Sequence, residues 1–112
     1  MSDFKEFKKW FKYYQDKFDL SGWKVFFKQE PIEDGFANIS VDLGAMAATV
    51  CLNRKLSDED KPFKDIKLSA KHEACHLLCA RLENNGRARY ISSNEIYETA
   101  EELVNKLCGL IK

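Results

Sequence analysis

The segment KLSAKHEACHLLCARLENNG, residues 67–86, holds both histidines of the chain, and its reading decides the fold. His72 and His76 are four apart, and Glu73 directly follows the first. On a helix, residues four apart sit one above the other. Two imidazoles so placed can each put a nitrogen on one cation, at about 2.0–2.1 Å for zinc. Glu73 is rotated by about 100° from His72. It is badly placed as a close ligand but can reach a water on the metal. Zinc lowers the pKa of such a water from about 15.7 towards 7, so that a carboxylate can take its proton and later pass one to a leaving amine. That chemistry explains a glutamate inside the His-Glu-x-x-His spacing. For two histidines in a chain of this length, a four-residue separation arises by chance roughly one time in fifty, and the glutamate lowers this to on the order of one in several hundred.

The surroundings of the segment read as helix. Ser57, the acids Asp58, Glu59 and Asp60, and then Pro62 form a start signal. Asn84-Asn85-Gly86 forms a stop, being residues that tolerate a left-handed cap. The expected helix spans about Phe63 to Glu83. Upstream, Phe4, Phe7, Phe11, Tyr14 and Phe18 recur at steps of three and four, which predicts an amphipathic helix over residues 3–19, ended by Ser21-Gly22. In GWKVFFKQE, residues 22–30, Trp23, Val25 and Phe27 alternate with other residues as in a strand, closed by Pro31 and the Glu33-Asp34-Gly35 turn. FANISVD, residues 36–42, predicts a second strand with Ile39 and Val41 on one face. AMAATVCLN, residues 45–53, predicts a third with Met46, Ala48, Val50 and Leu52 on one side. The short Leu43-Gly44 link favours antiparallel pairing of these two. Downstream, Ser92 with Glu95 three residues later fits a capping box. The helix it opens runs to about Ile111, with Ile96, Ala100, Leu103, Leu107 and Leu110 facing inward. The expected fold class is α+β, in the order helix, three strands, histidine helix, C-terminal helix.

At 112 residues the chain is a single domain, residues 1–112, large enough to bury a core without disulfides or a structural metal. Apolar residues make up 45% and charged residues 32%, which suits a water-soluble domain. The formal net charge is zero, so no overall field draws the chain to nucleic acid or to anionic lipid. No apolar run approaches membrane-spanning length, and MSDFKEFKKWFKYY lacks the apolar segment of a signal peptide. These features predict a cytoplasmic protein with neither nucleic-acid nor membrane partners. Cys51, Cys75, Cys79 and Cys108 then read as reduced thiols. Cys75 and Cys79 share a helix face with the histidines. A thiolate from them could serve a structural zinc, but small buried core positions fit them better.

Catalytic zinc takes three protein ligands and leaves a position for water. No third histidine exists, and no aspartate follows Asp65. Downstream, a glutamate carboxylate or a thiol remains, and the last helix carries Glu95, Glu98, Glu101 and Glu102. Glu101 is the first choice, because it flanks the buried stripe and Asn105, four residues on, can orient a ligand from behind. Glu95 is the runner-up: 18 residues separate it from His76, although the capping box already employs it. Tyr90, Tyr97, Arg87 and Arg89 are candidate donors to an oxyanion.

HEACHLLCARL, followed by ISSNEIYETAEELVNKLCGLI, resembles the small metallopeptidase-like proteins of phages and prophages, which are minimal gluzincins within the zincin class. The strand segments match their order, so the likeness covers most of the chain beyond the first helix. Glu101, Val104 and Leu107 carry its specific part, and the Glu101–Asn105 relation is similar to that of anti-repressor peptidases of mobile elements. The resemblance implies Zn2+ on His72, His76 and Glu101, Glu73 as general base, Asn105 behind the ligands, a peptide or protein substrate, and a host-cell cytoplasm. The alternative is a catalytically weak or inactive metal-binding module with a regulatory or interaction role.

Overall fold

The computed structural model describes residues 2–33, 35–56 and 61–110, apart from the side chains of Phe63 and Cys108. Ser57 to Asp60, Asp34 of the expected turn and Ile111 lie outside the described residues. The chain is α+β, as its sequence predicts: helix α1 (Asp3–Lys17), strands β1 (Lys24–Glu30), β2 (Ala37–Asp42) and β3 (Ala47–Asn53), then helices α2 (Ile66–Leu78), α3 (Ala80–Arg87) and α4 (Ser93–Leu110). No described helix is long and apolar enough to cross a membrane.

Helix α1 starts where the Ser2 hydroxyl accepts from the Lys5 amide, and it ends at Phe18, with Asp19 in the left-handed region at φ 58°. Its aromatic stripe faces the core as the spacing predicts, with Phe7, Phe11, Tyr14 and Phe18 buried and Phe4 partly so. Phe7 and Phe11 both meet Phe27 of β1 edge to face, at 6.5 and 5.5 Å between ring centres. Gln15 is buried as well. Its amide donates to the carbonyls of Leu20 and Trp23, at 2.9 and 3.1 Å, which ties the end of α1 to the start of β1.

The sheet order is β1-β3-β2. β2 and β3 pair antiparallel, with Ile39 opposite Val50. β1 pairs parallel with β3, with Phe27 opposite Val50. AATVCLN is thus the central strand and FANISVD an edge. One face of the sheet, with Val25, Phe27, Ala48, Val50 and Leu52, packs on α1 and α2. Met46 leaves the predicted stripe: at φ 49° it belongs to the β2–β3 turn and is exposed. The β1–β2 connection is pinned by Asn53. Its side-chain oxygen accepts from the Ile32 amide at 3.0 Å, and its NH2 donates to the Gly35 carbonyl at 2.7 Å.

Three helical expectations are corrected. First, α2 begins later than Phe63, because the Asp65 carboxylate accepts from the Leu68 amide at 3.0 Å and caps it. A single turn of 3-10 helix, Lys61–Phe63, precedes it. Second, Asn84-Asn85-Gly86 does not stop the helix. An interruption falls at Cys79 instead, and α3 carries on to Arg87. Asn85 is only 6% exposed, and its NH2 donates to the Thr99 hydroxyl at 2.6 Å. A satisfied buried amide outweighs the local preference of Asn and Gly for a cap. Third, the α4 stripe is not turned inward: Ile96, Ala100, Val104 and Leu107 are exposed, while Leu103 and Leu110 are half-buried.

The reason is a polar row one position round the helix. The Arg81 guanidinium of α3 donates to Glu102 at 2.7 Å and to Glu95 at 2.9 Å, and it also reaches Glu98 at 3.4 Å. The bonds to Glu102 and Glu95 hold Arg81 charged, well above the ordinary guanidinium range. The Ser92 hydroxyl still accepts from the Glu95 amide at 3.1 Å, but the Glu95 carboxylate goes to Arg81. Farther along, the Lys106 ammonium reaches Asp19 at the end of α1. Arg81→Ala is expected to weaken α4 docking by about 1 kcal/mol, so that α4 amides exchange with solvent roughly five times faster. Hydrogen exchange read by mass spectrometry checks this. Unchanged α4 exchange would show that Arg81 is incidental to the docking.

Candidate metal centre

The histidine pair sits on α2 where that helix faces strand β2. His72 and His76 bring their Nε2 atoms together: these are 3.1 Å apart, with ring centres at 4.8 Å and planes at 76°. With bonds of about 2.0–2.1 Å, a 3.1 Å separation subtends an angle of about 100° at a shared cation, close to tetrahedral. The two imidazoles therefore fit a zinc ion as neighbouring ligands. The other nitrogen of His76, Nδ1, lies 3.2 Å from the Glu83 carboxylate on α3.

Glu73 lies beside them and is only 5% exposed, yet it borders the same cavity. Burial pushes its carboxyl above the ordinary range, against a smaller lowering by His72 and His76. A carboxylate in this state binds a proton more readily than one in water, which is useful in a group that accepts and returns protons.

The cavity has a volume of about 990 Å³ and runs between β2 and the α2–α3 helices. Residues 35–39 and 41–44 form one wall; Leu68, Ser69, His72, Glu73, His76, Ala80, Glu83, Asn84 and Arg87 form the other. Among the described residues β2 pairs with β3 alone, so its second edge is open to an added strand.

The remaining sequence-predicted residues fall elsewhere. Glu101 is exposed on α4 and does not border the cavity. Glu95 is engaged by Arg81, and Asn105 is exposed on α4. Among the described residues, no group of three histidine, cysteine, aspartate or glutamate side chains is gathered to hold a metal. Of the four suggested oxyanion donors, Arg87 borders the cavity and the others do not. Tyr90 is 85% exposed, with the Arg89 guanidinium 5.4 Å from its ring centre. Cys75 and Cys79 are half-buried free thiols. Burial, helped by their mutual repulsion, raises the Cys75 thiol, and burial followed by Glu83 raises Cys79. Both shifts favour the protonated thiol in the metal-free protein.

Glu83 belongs to no motif in the sequence. Its signal is a spacing of seven from His76, two helical turns along the same face. Asn38, Asp42 and Asn84, also on the cavity wall, carry no sequence signal.

Compared with protein-family models, with curated proteins and with solved structures, the chain matches none of them.

Proposed function

We propose that the chain is a zinc-dependent peptide-bond hydrolase of minimal zincin type. The observation that carries this reading is the convergence of two imidazole nitrogens, 3.1 Å apart, beside a buried glutamate on an open cleft. His72 and His76 would hold the ion through Nε2. Zinc, when bound, supplies Lewis acidity for the scissile carbonyl and for the attacking water. Glu73 removes a proton from that water and returns one to the departing amine. The open edge of β2 takes an extended peptide by strand addition and brings its backbone along the cavity wall. Arg87, on that wall, can donate to the oxygen that gains charge.

The third protein ligand is assigned to Glu101 on its place in the sequence and on the resemblance. Its exposed position on α4, and the capture of Glu95 by Arg81, favour a second reading: a metal-binding regulatory or interaction module without hydrolytic turnover. In both readings the protein operates in aqueous solution on a peptide or protein partner.

Zinc titration with thiols reduced, followed by incubation with an unfolded protein mixture, tests the proposal. Wild type is expected to take one zinc per chain and to cut the mixture, and a chelator is expected to stop it. His72→Ala and His76→Ala are expected to lose the zinc, and Glu101→Ala to weaken it. Zinc uptake without cleavage supports the module; no uptake sinks both readings.

A further inference from the structure

We infer that Glu83 is the positioning residue of His76, setting which ring nitrogen carries the proton and therefore which one is free to bind a cation. The inference deepens the metal-centre reading and rests on it for its purpose, but its geometry is independent of any ion. His76 has both ring nitrogens engaged: Nε2 faces His72 at 3.1 Å, and Nδ1 faces the Glu83 Oε1 at 3.2 Å. A neutral imidazole has one N–H and one lone pair, whereas an ionised carboxylate only accepts. The Glu83 contact therefore places the proton on Nδ1. The lone pair is left on Nε2, the atom 3.1 Å from Nε2 of His72.

The contact crosses the helix interruption. His76 is in the last turn of α2, and Glu83 lies on α3 beyond Cys79. The bonds from the Cys79 amide to the Cys75 carbonyl, 3.0 Å, and from the Glu83 amide to the Cys79 carbonyl, 2.9 Å, carry the helical path across that junction. Glu83 is thereby held two turns beyond His76 and on its face.

His72 has no such support. Among the described residues, its hydrogen-bond partner is His76. With Nε2 of His76 carrying a lone pair, His72 donates its own Nε2–H across the 3.1 Å gap when no cation is there. Cation binding then requires His72 to change tautomer, its Nε2 giving a proton to water as Nδ1 takes one, while His76 needs no change. The two ligands are unequal: His76 is preset by Glu83 and His72 adapts. Carboxylates behind ligating histidines act in this way in metal sites generally, and their removal costs about 10- to 100-fold in metal affinity.

Two measurements on the full chain, in wild type, Glu83→Ala and Glu83→Gln, test this. The first is long-range nitrogen–proton correlation NMR of the two imidazoles in metal-free protein at mildly alkaline pH. His76 is expected to be Nδ1-protonated in wild type and in Glu83→Gln, whose amide oxygen still accepts, and to move to the Nε2–H form in Glu83→Ala. The second is zinc affinity by chelator competition, with an expected loss of about 10- to 100-fold in Glu83→Ala and a smaller one in Glu83→Gln. An Nε2–H His76 in wild type overturns the inference, as does a tautomer that Glu83→Ala leaves unchanged. If wild type takes no zinc, the metal-centre reading falls, while the tautomer result still decides the role of Glu83. Glu83 is exposed, so both variants should fold; retained far-ultraviolet dichroism checks that.

Discussion

Glu73→Gln is expected to slow peptide-bond cleavage by about 10²- to 10⁴-fold while zinc content stays that of wild type. Glutamine keeps the size and the acceptor oxygen of the side chain, so the 5%-exposed position stays filled and α2 keeps its seat. What it lacks is basicity: an amide cannot take the proton of an attacking water at neutral pH. The histidines are untouched, so metal binding should persist. The measurement is the initial rate on an unfolded protein substrate, with bound zinc determined on the same samples. Equal rates would remove Glu73 from the chemistry, and lost zinc would make it part of the metal's support.

The same substitution has a second consequence, in metal-free protein. Burial raises the Glu73 carboxyl above its unfolded value. Between those two values the folded state holds the proton more strongly, so stability falls as pH rises through the window, and that cost persists at neutral pH. Glutamine does not titrate. The metal-free variant should therefore be more stable than wild type at pH 7, and the gap should close as pH falls below the ordinary carboxyl range. Urea unfolding with chelator present, at both pH values, gives the sign.

Phe11→Ala is expected to cost about 3–5 kcal/mol of unfolding free energy. A domain of this size has only about 5–15 kcal/mol in all, so the loss is a large part of its stability. Phe11 is completely buried, with its ring edge-on to Phe27 at 5.5 Å, where α1 is pressed on the sheet. Truncation removes apolar contact and leaves a cavity between layers that are each locked by their own backbone hydrogen bonds, so the site closes poorly. Phe26→Thr is the comparison. Phe26 neighbours Phe27 in the same strand, but it points to the other face and is 58% exposed. Threonine keeps a good strand former there, and a change within about 0.5 kcal/mol is expected. Urea midpoints followed by circular dichroism measure both. A Phe11 loss no larger than that of Phe26 would mean that α1 is not a structural layer. Because α1 and α2 share this core, the Phe11 variant should also loosen the seat of the histidine helix.

Local signals were legible where neighbours along the chain decide the outcome. The aromatic spacing of α1, the alternation of β1 and β2, the short β2–β3 link and the four-residue histidine interval each act within a few residues, and the elements they predict are present. Four features needed partners distant in sequence. The parallel β1–β3 pairing makes AATVCLN central. Thr99 on α4 holds Asn85 and carries helix through an Asn-Asn-Gly run. The carboxylates at 95, 98 and 102 converge on Arg81 and turn the apolar row of α4 outward. Glu83 comes to His76 across the Cys79 junction.

The amino-acid order by itself determined that two imidazoles share one helix face with a glutamate between them, because helical periodicity follows from backbone geometry alone. Only the tertiary structure decided which carboxylates approach those rings and which are drawn away. A side chain on another helix is placed by the strongest partner it meets in space, and for the acids of α4 that partner is Arg81 rather than the histidine pair.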